Sequence, residues 1–318
     1  MNTLQSAVPI IDVQNLTVSL GSTAVDAPAL VHELSLQVRP GECVGLVGES
    51  GSGKSLTGLT TMGLLPEGLH VRAGEVKFVG DDLTSLSNAE LRKLRGAELS
   101  MIFQDPSAAL NPTRTVKKQL VDVLRAHQSL SKKEAEERAV VALEDVGFPN
   151  PRERFNSFPF QLSGGLKQRV CIAMALACRP RFVVADEPTT NLDVSVQEGI
   201  LNLIRARIES DGFGCLFVSH DLGVIGAVAD RVMVMYAGQI VEAGPVESIL
   251  NNPQHPYTRG LIDAAPTLHS TKDEPLRPYT AVRPKMSPTR PASEMVPVQG
   301  NPEHTVRVSL ETRGDTND

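Results

Sequence analysis

The sequence has no excess of positive charge: 31 lysines and arginines stand against 37 aspartates and glutamates, a formal net charge of −6. Binding nucleic acid by counterion release needs a basic surface, so no nucleic-acid partner is expected. Long hydrophobic runs are missing too. The longest near-apolar stretch, Val170 to Cys178, falls far short of the roughly 20 residues that a spanning helix requires. The opening MNTLQSAVPI has no positive region followed by an apolar core, so no signal peptide is expected. Four cysteines (Cys43, Cys171, Cys178 and Cys215) lie scattered in apolar surroundings without metal or disulfide spacing, which predicts buried, reduced thiols. No aromatic residue precedes Phe78. Hydrophobic residues at 41% and charged residues at 21% are ordinary globular values and exclude wholesale disorder. A length of 318 suggests two domains, or one large domain with an appendage. These features predict a soluble cytosolic chain.

Strands and turns are expected over residues 8–47, through Val13, Leu16, Val18 and Leu20, then Leu34–Val38 and the turn Pro40-Gly41. The run Cys43–Val47 reads as a buried strand that enters a glycine-rich loop and then a helix. Further strands are expected at Glu75–Phe78 and Leu99–Phe103, with a polar helix at Asn88–Arg95 between them. From Thr115 to Val146 the periodicity is helical, with Ser131 as a cap and Glu134 three residues on. Strands at Phe182–Ala185, Cys215–Ser219 and Val232–Tyr236 alternate with helices at 194–209 and 222–229, which argues for a largely parallel α/β sheet. Residues at roughly 105–165 read as an all-helical insertion. From Pro266 to Asp318 there are eight prolines and one aromatic, so the chain beyond about 270 is expected to be irregular.

Gly48-Glu49-Ser50-Gly51-Ser52-Gly53-Lys54-Ser55 fits GxxxxGK[ST] between a strand and a helix. Its glycines let backbone N–H groups curl around phosphates, the helix N-terminus adds a positive dipole, Lys54 adds a point charge and Ser55 can ligate Mg²⁺. Such a loop alone does not choose between kinase, GTPase, helicase and transporter. Phe182–Glu187 is an apolar strand ending in two acids: Asp186 is placed to hold the Mg²⁺ shell and Glu187 to polarise an attacking water. In Leu162–Arg169, Ser163 is placed to cap a helix while Gly164 and Gly165 leave its first N–H groups uncovered. Taken alone this reads as an ordinary N-cap with flexible glycines; the alternative is a second anion site, one that would face a partner's nucleotide.

In this order of elements the chain resembles the ATP-binding-cassette (ABC) family over about residues 10–265. Walker A is at 48–55, a Q-loop glutamine at Gln104, the signature at 162–166, Walker B at 182–186 with Glu187, a D-loop at Asn191-Leu192-Asp193 and a switch histidine at His220. The resemblance implies a P-loop NTPase of ABC type. Its α/β fold would have a RecA-like mixed sheet core, an antiparallel β subdomain and an inserted helical subdomain. Two cassettes would sandwich ATP between the Walker A of one and Ser163, Gly164 and Gly165 of the other. It implies that Gln104 contacts Mg²⁺ or the water, that Glu187 is the catalytic base, and that His220 contacts the γ-phosphate. The family stacks adenine on an early aromatic residue; Leu20 stands in that place, so base recognition is expected to be aliphatic and weaker.

The wording around Gln104 and Glu187, and above all Pro253-Gln254-His255-Pro256-Tyr257-Thr258-Arg259, resembles the peptide/nickel subgroup of importers. That implies a cassette domain at 8–250, a C-terminal docking motif at 251–268 and a Pro-rich tail at 269–318. His255-Pro256-Tyr257 is a stiff, extended start before an aromatic anchor, read as a structural clasp. The subgroup implies ATP hydrolysis at the cytoplasmic face of the inner membrane. Partners would be a second, different ATPase subunit, two integral membrane permeases and an extracytoplasmic binding protein. Di- or oligopeptides are the expected cargo, with nickel or another small solute as the alternative and a soluble non-transport ATPase as the rival. No cysteine follows Cys215, so no iron–sulfur cluster is expected.

Overall fold

The computed structural model describes residues 8–264 and 293–309. Its first elements are β1 (Ile11–Leu20), β2 (Ala29–Val38), β3 (Cys43–Val47), α1 (Lys54–Thr61), β4 (Leu69–Phe78) and β5 (Asp81–Asp82). Then come α2 (Asn88–Leu94), β6 (Leu99–Ile102), α3 (Pro106–Ala109), α4 (Val116–His127), α5 (Lys132–Asp145) and α6 (Pro151–Arg154). These are followed by α7 (Gly164–Leu176), β7 (Phe182–Asp186), α8 (Val194–Asp211), β8 (Gly214–Ser219), α9 (Leu222–Val228), β9 (Arg231–Tyr236) and β10 (Gln239–Pro245). The last are α10 (Val246–Asn251), α11 (Pro256–Asp263), β11 (Ser293–Val298) and β12 (Asn301–Ser309).

The chain divides into two compact units. One holds Arg39–Glu42 and Ser85–Leu216 with the described residues up to Ile10; the other holds Ile11–Val38, Cys43–Thr84 and the described residues from Phe217.

The first unit carries the helices α2–α8 and the parallel pair β6 and β7, in register Leu99↔Phe182 through Ile102↔Ala185. Several of its helices start where a side chain satisfies one of their first N–H groups. Ser131 and Glu134 form a reciprocal capping box on α5, as its sequence predicts, and Thr115 caps α4. Ala135, Ala139, Val140 and Leu143 of α5 are buried on one face against α4 and α7. Burying a side chain the size of Leu143 contributes about 1.5–3 kcal/mol. Helical periodicity over 115–146 resolves into two helices, the first ending at His127 and the second opening on the expected Ser131 cap.

The second unit carries the antiparallel sheet β2-β1-β4-β5, with Ile11 flanked by Val38 and Phe78. It also carries the run β11-β12-β10-β9-β3, in which β3 and β9 are parallel and the remaining pairs antiparallel. All five residues of β3 are buried, which is why its sequence is uninterrupted by polar side chains.

The tail departs from its composition. Residues 293–309 form the hairpin β11–β12, and β12 pairs with β10 at Glu242↔Val306 and Ala243↔Thr305. An average over eight prolines hides a short alternating segment that finds a ladder partner only in three dimensions. The rest of the proposed tail, and the end of the docking motif beyond Ala264, lie outside the described residues. Cys43, Cys171 and Cys215 are buried as expected, while Cys178 is half-buried. Burial pushes the Cys171 thiol up to about 12, so it is inert at neutral pH. Among the described residues no helix is long and apolar enough to cross a membrane.

Candidate functional site

In the second unit, β3 delivers the chain into the loop Gly48–Gly53, which turns into α1 at Lys54. The loop runs tight against β9. A Cβ on Gly48 would lie 2.1 Å from the carbonyl oxygen of Met235, so no side chain fits there. Lys54, 5% exposed, folds back over the loop and donates from Nζ to the carbonyls of Gly48 (2.7 Å) and Glu49 (2.9 Å). The Glu49 N–H donates to the Tyr257 hydroxyl at 2.9 Å, and the Gly238 N–H donates to the Ser52 carbonyl at 2.9 Å. α1 begins on Gly53 without a side-chain cap, and Ser55 lies exposed in its first turn. Ser52 Oγ is buried with no hydrogen-bond partner among the described residues. A buried orphan hydroxyl inside a glycine cradle at a helix N-terminus fits an anionic ligand with acceptor oxygens. Ser50 and Gly51 sit exposed at the loop's crest.

Leu20, at the end of β1 in this unit, is 46% exposed although Leu16 and Val18 of the same strand are fully buried. His220 is exposed directly after β8. The cap of α9 falls to its neighbour: Asp221 accepts from the N–H groups of Gly223 (2.7 Å) and Val224 (3.4 Å).

In the first unit, β7 is buried along its whole length and ends at Asp186, 9% exposed. The chain then turns through Glu187 with φ at 45°, and Asn191 follows with φ at 67°. Non-glycine residues in the left-handed region are uncommon and collect at functional turns. Since β6 and β7 pair in parallel with Ile102 opposite Ala185, the residues after their C-terminal ends converge. Gln104 Nε2 donates to Glu187 Oε2 at 3.1 Å across 83 residues of sequence, and Thr190 Oγ1 donates to the same oxygen at 2.9 Å. Two donors on one oxygen hold that end of the carboxylate in place.

Ser163 sits at the N-cap position of α7 but makes no side-chain cap bond, contrary to its expected capping role. It is exposed, as is Gly164 beside it, and its backbone has the extended torsions of an N-cap, φ −66° and ψ 163°. The start of α7 leans on the start of α8: a Cβ on Gly165 would come 2.6 Å from Val196 Cγ1, and one on Gly164 3.6 Å from Leu192 Cδ2. Asp193 caps α8, accepting from the Val196 N–H at 3.0 Å and the Ser195 hydroxyl at 2.8 Å. Those bonds, the backbone one foremost, hold its carboxyl below the usual aspartate value. Gly164 and Gly165 therefore pack against Leu192 and Val196, a relation invisible in their sequence spacing.

Thr190 and Tyr257 were not expected at these sites. Thr190 lies three residues beyond the acid pair Asp186-Glu187, outside the run singled out for its acids, and Tyr257 lies inside a motif read as a clasp.

Comparison with known proteins shows what this chain is similar to. The family described as ABC transporter matches residues 31–190, and the family described as oligopeptide/dipeptide transporter, C-terminal region, matches residues 241–291. The Probable D,D-dipeptide transport ATP-binding protein DdpD of Escherichia coli is 45% identical over 259 residues, 81% of this chain and 79% of that protein. The oligopeptide transport ATP-binding protein OppD of Bacillus subtilis is 45% identical over 279 residues, 87% of this chain and 78% of that one. Among solved structures, the ATP-binding cassette MJ0796, dimeric in a post-hydrolysis state with ADP and Pi, superimposes with a TM-score of 0.64. It is 28% identical and covers 74% of this chain and 98% of its own.

Proposed function

The chain belongs to the ABC transporter family, a family of ATP-hydrolysing cassettes, and on that premise we propose that it is the ATPase subunit that energises an importer of di- or oligopeptides. The observation that carries the peptide reading is the match of residues 241–291 to the oligopeptide/dipeptide transporter C-terminal region, together with relatives named for peptide transport.

In this reading the loop Gly48–Ser55 takes the β- and γ-phosphates. Backbone N–H groups and the α1 dipole bind the anion, and Lys54 exchanges its two carbonyl partners for phosphate oxygens. Leu20 covers the adenine with an aliphatic face. Mg²⁺, when bound, offsets phosphate charge and polarises the γ-phosphate. Ser55, Asp186 and Gln104 are assigned to its shell on the family pattern. Among the described residues no group of three or more His, Cys, Asp or Glu gathers to hold a metal alone, which suits an ion held largely through phosphate and water oxygens. Glu187 acts as general base on the attacking water, oriented by Gln104 and Thr190. His220 contacts the γ-phosphate. Ser163, Gly164 and Gly165 serve the nucleotide of a partner cassette, with Asp193 holding the adjoining turn. ATP carries about four negative charges, so closing two cassettes over it is favourable only when donors meet the γ-phosphate from both sides.

The proposed partners are a second, different ATPase subunit, two integral membrane permeases and an extracytoplasmic binding protein, with this chain peripheral at the cytoplasmic face. A tagged Glu187→Gln protein, extracted gently from its host's membranes in ATP, tests this. It is expected to bind ATP, to turn over about 100-fold more slowly or worse, and to co-purify with two membrane proteins and another cassette. Normal turnover would refute the base assignment. Recovery with ribosomal or repair proteins would overturn the transport reading and leave the ATPase intact.

A further inference from the structure

The Tyr257 hydroxyl accepts the Glu49 N–H at 2.9 Å, directly after the glycine on which the phosphate loop turns. Tyr257 is 1% exposed, and its ring lies on that of Tyr236 with centroids 4.4 Å apart. Tyr236 ends β9, the strand whose Met235 carbonyl forms the wall against Gly48. The first residues of the phosphate loop are thus held between β9 and the start of α11, all within one unit.

Tyr257 is itself set in place by a chain of hydrogen bonds. His255 Nδ1 accepts the Tyr257 N–H at 3.1 Å as the cap of α11, whose first residue is Pro256. The N–H groups of Gln254 (2.7 Å) and His255 (3.0 Å) donate to the fully buried carboxylate of Glu242. Burial lowers the His255 pKa, so its imidazole is neutral at physiological pH and Nδ1 is available as an acceptor.

We propose that Tyr257 is a positioning residue for nucleotide binding: its hydroxyl fixes the entry of the phosphate loop, so that the C-terminal motif sets affinity for the nucleotide in addition to clasping the fold. The inference rests on the reading of residues 48–55 as the nucleotide site. Tyr257 touches no phosphate in this scheme. It acts through the Glu49 amide, whose donation to the hydroxyl restricts how the following N–H groups are presented.

The test uses the full chain and Tyr257→Phe, which keeps the ring and its tilted packing against Tyr236 and removes one oxygen. MgADP and a non-hydrolysable MgATP analogue are titrated calorimetrically, with Lys54→Ala as the reference for a damaged phosphate site, alongside thermal melting and amide hydrogen exchange. Tyr257→Phe is expected to weaken both nucleotides about five- to tenfold, to speed exchange at the Glu49 amide about tenfold or more, and to leave the melting temperature within about 2 °C of the parent. Unchanged affinity with unchanged Glu49 exchange would overturn the proposal. So would a general loss of protection across α11 with the melting temperature, which marks a structural role only. If Tyr257→Phe fails to fold, the unmodified chain decides: fast exchange at Glu49 without nucleotide overturns the proposal, and slow exchange supports it. If the unmodified chain binds neither nucleotide, the reading of the phosphate site fails instead, and the two failures are told apart.

Discussion

Removing the carboxylate of Glu242 is expected to loosen the C-terminal part of the fold by several kcal/mol. Glu242 is fully buried and collects three partners: Oε1 accepts the Gln254 N–H at 2.7 Å and lies 2.7 Å from His304 Nε2, while Oε2 accepts the His255 N–H at 3.0 Å. Glu242→Ala strands all three, and at about 1–3 kcal/mol for each buried group left unmet the gross cost is about 3–9 kcal/mol. Glu242→Gln is milder, because its carbonyl can replace Oε1 while its NH₂ meets the His255 N–H donor to donor. One bond of three is lost, about 1–3 kcal/mol. Urea or thermal unfolding, read together with hydrogen exchange over residues 254–263 and 301–309, separates the two variants. The order Ala worse than Gln, with exchange rising first in α11 and β12, is the expected result. A loss under about 1 kcal/mol for Glu242→Ala, or equal effects of the two variants, would refute the reasoning. Combining Glu242→Ala with His304→Ala should then cost less than the sum of the two, since the pair shares one interaction.

Gly48→Ala should abolish nucleotide binding at millimolar ATP and destabilise by about 1–3 kcal/mol, because its Cβ would meet the Met235 carbonyl at 2.1 Å; calorimetric titration and melting check both. Stability should also fall on acidification. Burial depresses the folded-state pKa of His255 below its ordinary 6.5, so the unfolded chain takes up the proton first. The contribution of His255 is complete above about pH 6.5 and is lost as pH falls toward the depressed value; His255→Gln should flatten that limb of a melting-temperature profile.

Much of the first half of this site is written locally. A buried strand, a glycine loop and a helix opening on Lys54 lie within residues 43–61, so hydrophobic run, turn residues and helix start can all be read in order. The capping box at Ser131 and Glu134 is equally local. Other relations are not. Gln104 and Glu187 stand 83 residues apart, and only the parallel register of β6 with β7 brings one amide to one carboxylate. Ser163 occupies the cap position its sequence predicts, yet its side chain makes no cap bond, because cap position and cap hydrogen bond are set by different torsions.

By itself the sequence determined the chemistry: which residues can cradle phosphate, hold charge or polarise water, and in what order the strands and helices that carry them are made. These follow from side-chain type and short-range periodicity. Tertiary structure alone decided which distant groups complete one another. Residues 301–309 of the proline-rich tail became a strand because the edge of β10 offers ladder positions and buried Glu242 offers His304 a partner. Tyr257 became a neighbour of the phosphate loop because α11 folds back onto β9. Strand pairing and buried hydrogen bonds draw their stability from groups far apart in the chain, and no local pattern encodes where those groups meet.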